Sequence, residues 1–119
     1  MEKLLLLVLT LMSTSSYATT DGDVENYCLD FGMLISSLVI NKATEKPIDL
    51  TAITQRGESI GEQYGTPNFQ NWAKSFSTTV VKKISNMTQM EVVEIYNENN
   101  GDLVRLTSVF KYVCHKQIK

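Results

Sequence analysis

Near its C-terminus the chain reads FKYVCHKQIK, which sets Cys114 directly before His115, the single histidine. A thiol beside an imidazole could be a nucleophile with its base, part of a metal site, or one end of a disulfide. Adjacency argues against the first. Neighbours on a helix point about 100° apart, and on a strand they point to opposite faces. Nucleophilic catalysis instead needs the base within hydrogen-bond reach of the sulfur and a third group to orient it. Two cysteines and one histidine also fall short of a four-ligand zinc site unless carboxylates or a second chain contribute. The other cysteine, Cys28, stands near the opposite end of the chain.

The compartment decides how such a pair is read. The chain opens with MEK, continues with the apolar run LLLLVLTLM, and passes into the small, polar STSSYA. That is the order of a secretory signal peptide, with Ser16 and Ala18 at the small-residue positions before a cleavage site. Residues 1–18 are expected to be a signal peptide cut after Ala18, although an uncut segment serving as an anchor stays open. The apolar run is shorter than the roughly 20 residues of a membrane-spanning helix, and no second run long enough follows it. The mature protein is therefore expected to be periplasmic or secreted, with no stable span after cleavage. In an oxidising compartment two cysteines near the two ends of one domain are expected to pair. Cys28–Cys114 is the expected disulfide, with a free reactive thiol and a metal site as the weaker readings.

Other chemistries find little support. Glu58 and Glu62 lie four apart on a helical segment with Arg56 nearby, a spacing that could face a common cleft and equally fits a solvated helix face. RGESIGEQYG lacks the lysine and the spacing of a phosphate loop. A net charge of −2 provides no basic stripe for nucleic acid. Asn86-Met87-Thr88 has the form of an N-glycosylation acceptor, which matters only in a eukaryotic secretory pathway. No catalytic, cofactor or metal residue is assigned; an enzyme and a bound cofactor are both not expected.

The elements that would position these residues are mostly helical. At 119 residues there is room for one domain, 19–119, and 43% hydrophobic residues are enough for a core. From Asp23 to Asn41, apolar residues at Val24, Tyr27, Cys28, Phe31, Leu34, Ile35 and Leu38 step by three and four and mark a helix with Cys28 on its buried face. Asp49 can cap a second helix whose Gly57 and Gly61 either admit a close neighbour or weaken it; Gly65 is expected to end it. Thr66-Pro67 can open a third, on which Phe69, Trp72, Phe76, Val80 and Ile84 form the strongest periodicity, with Trp72 and Phe76 the expected core centre. Thr88-Gln89-Met90-Glu91 has the form of a capping box. NENNGD makes a turn, and Leu103, Leu106, Phe110 and Val113 share a helical face. The expected fold is all-α, a compact bundle of four to five short helices closed by one disulfide. An α+β alternative remains, because Val92 to Val113 is rich in β-branched and aromatic residues around an Asn-Gly pair and also fits a C-terminal β-hairpin. Acids at Asp21, Asp23, Glu25 and Asp30 surround Cys28, and Lys111, Lys116 and Lys119 surround Cys114, so joining the cysteines would bring opposite charges together.

YCLDFGMLISSLV in the first helix, Val92 to Tyr96, and LTSVFKYVC in the last resemble a group of small exported bacterial proteins, some phage-borne. These are all-helical, with one cysteine in the first and one in the last helix. The resemblance implies a periplasmic helical domain; some similar-looking small exported proteins are immunity proteins that neutralise cell-wall-degrading effectors. It carries over no functional residue. The leading expectation is a non-catalytic binding module, an inhibitor or immunity-type protein whose partner is another exported protein, with the turn Asn97–Asp102 as candidate contact. The alternatives are a periplasmic structural or stress-protective, holdase-like protein and a phage-derived regulator of lysis or superinfection.

Overall fold

The computed structural model describes residues 19–118. The expected signal segment 1–18, with its cleavage site, lies outside them. Five helices follow in order: α1 Asp21–Ala43, α2 Leu50–Gly61, α3 Pro67–Ser85, α4 Gln89–Glu98 and α5 Leu103–Gln117. The described residues contain no strand, and no described helix is long and apolar enough to cross a membrane.

Local chemistry sets the boundaries. Thr20 caps α1 by accepting the Asp23 N–H at 3.1 Å, so Asp21 and Asp23 fall inside the first turn, where carboxylates favour the positive end of the helix dipole. The helix consequently exceeds the expected span of Asp23 to Asn41 by two residues at each end. Asp49 Oδ1 accepts the Ala52 N–H and starts α2. That helix runs unbroken through Gly57 and stops at Gly61, earlier than the expected stop at Gly65; Gly65 instead takes a φ of 80° in the turn that follows. Thr66 and Pro67 open α3. The capping box at α4 is complete, with Thr88 Oγ1 accepting from Glu91 N–H at 3.2 Å and Glu91 Oε1 accepting from Thr88 N–H at 2.8 Å.

The hairpin alternative over 92–113 is corrected: α4 and α5 occupy that stretch. Its Asn-Gly pair does take left-handed values, φ 55° at Asn100 and 62° at Gly101, but they serve to end one helix and begin the next. Asp102 then caps α5 by accepting the Val104 N–H at 2.9 Å.

α1 is the central element. Tyr27, Cys28, Phe31, Leu34, Ile35, Leu38 and Val39 are all buried, and Gly32 and Ser36 beside them widen the covered arc to about half the circumference or more, as a helix packed on several sides requires. It contacts each of the other four helices and packs most extensively on α5, while α2 lies mainly on α3. Glycines set two of these approaches. A Cβ at Gly32 would lie 2.8 Å from the Thr107 carbonyl oxygen on α5, and one at Gly61 would lie 2.5 Å from the Lys74 backbone nitrogen on α3. The aromatic residues of α1 and α3 fill the centre: Trp72 stacks on Phe76 with centroids 4.9 Å apart, and Phe76 lies 5.0 Å from Phe31.

Candidate functional site

The Cys28–Cys114 disulfide joins α1 to α5 with a Cα–Cα distance of 5.5 Å, and both residues are wholly buried. The sulfur next to His115 is therefore already bonded. The imidazole lies at the surface, where Nε2 is 3.5 Å from Glu25 Oε2, and Lys111 pairs with the other oxygen of the same carboxylate. Acidic α1 and basic α5 meet here, as the charge distribution around the two cysteines implies. The hydrogen bond from Lys111 holds the Glu25 carboxyl below its ordinary range against some burial that raises it, with His115 adding to the lowering. The result is a surface ion cluster over a covalent bolt. Among the described residues no three His, Cys, Asp or Glu side chains gather as a metal set.

The acids of α2 do not share a cleft with Arg56. Glu62 pairs with Lys74 of α3 at 2.9 Å, and Glu58 lies near the same ammonium. The bond to Glu62 comes first among the causes that raise the Lys74 pKa. Arg56 turns to another side, into a groove of about 680 Å³ between α1 and α2 that Leu103 closes from the start of α5. Its apolar lining includes Met33 and Leu34 of α1 and Ile53 and Ile60 of α2. Asp30 lines it too, and its Oδ2 accepts the Tyr64 hydroxyl at 2.6 Å. Burial adds to that bond in raising the Tyr64 pKa, the bond itself being the larger cause. Among the described residues Arg56 and Asp30 form no ion pair with each other.

The turn Asn97–Asp102 is held from several directions. Gly101 N–H donates to Tyr96 O at 2.8 Å, Asp102 N–H donates to Asn99 O at 3.0 Å, and the buried Asn99 side chain donates to Ile95 O at 2.9 Å. The Tyr96 ring covers Gly101 so closely that a Cβ there would fall 2.5 Å from Cζ. Beside this fixed turn Val104 is 72% exposed, with Glu98, Asn100 and Asp102 exposed around it. The turn itself is legible from its composition; the bare valine beside it is not, because helical spacing gives the buried face and leaves the solvent face unread. The groove likewise escapes a sequence reading, since Arg56, Asp30 and Leu103 belong to three separate elements.

No family model, curated protein or solved structure matches this chain.

Proposed function

We propose that the chain is an exported, non-catalytic binding module, an inhibitor or immunity-type protein that acts on another exported protein in the periplasm or outside the cell after loss of residues 1–18. The observation that carries this reading is the corner Asn97–Val104. There an exposed apolar side chain with acids on either side stands on a backbone already fixed by hydrogen bonds. A surface ordered before contact lowers the entropic cost of binding, and the Cys28–Cys114 bond ties α5, the helix that starts at the corner, to α1. The geometry fits a partner cleft with an apolar pocket for Val104 and a cationic rim for Glu98 and Asp102.

The test is capture. The oxidised chain from Thr19 onward is immobilised, exposed to native envelope and secreted proteins, and washed with salt. One stoichiometric partner, lost with Val104→Arg, is the expected result. Many unrelated proteins retained equally by the variant would favour the holdase alternative, and an empty column would contradict the binding reading.

A further inference from the structure

We infer that the groove between α1 and α2 is a self-association surface, covered by a second copy of this chain related by a two-fold axis. This goes beyond the binding reading; the groove borders the Val104 corner at Leu103 and is otherwise lined by α1 and α2.

Three observations lead there. First, exposed apolar side chains stand on both walls of the groove: Met33 of α1 is 45% exposed and Leu103 of α5 is 47% exposed, and Leu29, one turn before Met33 on α1, is 39% exposed. Contiguous apolar exposure of this kind marks an interaction site more often than scattered single residues do. Second, the floor is built from a helix with neighbours on both flanks. α2 lies along one side of α1, and α5 lies along the other at the close Gly32–Thr107 approach. The α1 side chains between them, Met33 and Ser37, are left facing solvent, and a helix from another molecule can lie over that strip.

Third, the charges complement each other under a two-fold rotation. A symmetric dimer places the same patch on both sides, so the patch must carry both halves of each interaction. This groove has one acid on its α1 side and one base on its α2 side, unpaired with each other across an apolar strip. Asp30 has spent one carboxylate oxygen on Tyr64, leaving the other available. Arg56 is exposed and in no ion pair among the described residues. A two-fold axis near Met33 sets Met33 against its own copy and brings Asp30 of each chain to Arg56 of the other, two charge pairs from a single contact. Carrying one acid and one base, the patch is its own electrostatic complement, the condition that a two-fold contact between copies requires.

Sedimentation of the oxidised chain from Thr19 onward, at a series of loading concentrations up to about 100 µM, reads the outcome directly. The expected result is a reversible dimer. Met33→Glu puts like charges on the axis, and Arg56→Glu sets carboxylate against carboxylate; each is expected to weaken the dimer by roughly tenfold or more, with circular dichroism unchanged. Combining Asp30→Lys with Arg56→Glu on the same chain reverses both charges and is expected to recover much of the association lost with Arg56→Glu alone. A wild-type chain that remains single throughout the series overturns the inference, as does a dimer indifferent to Met33→Glu and Arg56→Glu. Val104→Arg, the variant used for partner capture, is expected to leave the dimer intact. Failure of self-association is therefore distinct from failure of the binding reading.

Discussion

Tyr27 is wholly buried, and its hydroxyl is what makes it more than another core aromatic. It donates to the Ala73 carbonyl at 3.0 Å and shares a 2.6 Å bond with Ser77 Oγ, locking α1 to α3 at a point where a bare phenol would be costly. Tyr27→Phe keeps the ring and leaves the two α3 groups without this partner, so it should cost about 1–3 kcal/mol in denaturant unfolding. The same residue gives a pH dependence. Burial pushes its phenol above the ordinary range, opposed in part by the Ser77 bond. A raised folded pKa means the native state keeps a proton that the unfolded chain releases. The stabilisation is therefore fully present below about pH 10, the unfolded value, and falls as pH rises beyond it. Urea midpoints for wild type should accordingly hold level up to about pH 9 and drop once pH passes about 10, and those for Tyr27→Phe should drop less.

At the scale of elements, the two glycines of α2 separate propensity from packing. In an exposed helix interior Gly→Ala gains about 1 kcal/mol. At Gly57 the added Cβ meets the Ser77 Cβ at 3.3 Å, which asks α3 to give by a few tenths of an ångström and offsets the propensity gain, and a Leu34 methyl at 3.6 Å in ordinary contact. At Gly61 it meets the backbone of α3 at 2.5 Å, which cannot yield without moving a helix. Gly57→Ala should therefore lie near neutral, while Gly61→Ala should destabilise by about 1–3 kcal/mol; chemical denaturation of the pair side by side checks the contrast. The element starts were the most legible part of the fold. Asp49, Thr66-Pro67 and Thr88 with Glu91 are local signals whose partners lie within three residues, and all of them cap helices here. The last third was ambiguous for a definite reason. Val104, Leu106, Ser108, Phe110, Tyr112 and Cys114 alternate as a half-apolar strand would, and the helical face runs through Leu103, Leu106, Phe110 and Val113 as well. α5 buries Leu106, Phe110 and Val113 of the helical set, with Leu103 at its first turn 47% exposed, and leaves Val104 and Tyr112 exposed, the residues a strand would have turned inward. Contacts between distant elements, such as Gly32 on Thr107 or Tyr27 on Ser77, leave no local pattern at all. The candidate corner was half legible for that reason: its turn is written in NENNGD, and its apolar contact residue is visible only once α5 is known to be a helix.

At the scale of the molecule, one covalent bond spans almost everything described. The disulfide links residues 86 apart in sequence, and closing a loop of that length removes about 4–5 kcal/mol of unfolded-state entropy in the chain model. Small domains hold only about 5–15 kcal/mol in total. Replacing both cysteines with serine, or reducing the chain, should thus lower the thermal midpoint sharply and weaken partner capture along with it, since α5 carries the corner at its start. The aromatic core of α1 and α3 does not depend on the bond for its contacts, so circular dichroism of the reduced chain in the cold should retain helix. The bond also makes the compartment part of the functional reading, because a cytosol would keep the two thiols reduced.

Export with the bond closed is the claim on which the binding function stands, and intact-mass spectrometry of the full chain expressed in a bacterium with a periplasm tests it most directly. The account predicts a periplasmic species that begins at Thr19 and is lighter by two hydrogens than the reduced chain, unreactive to thiol alkylation until reduced. A full-length species in the cytosolic fraction, with both cysteines alkylated without reduction, would contradict it.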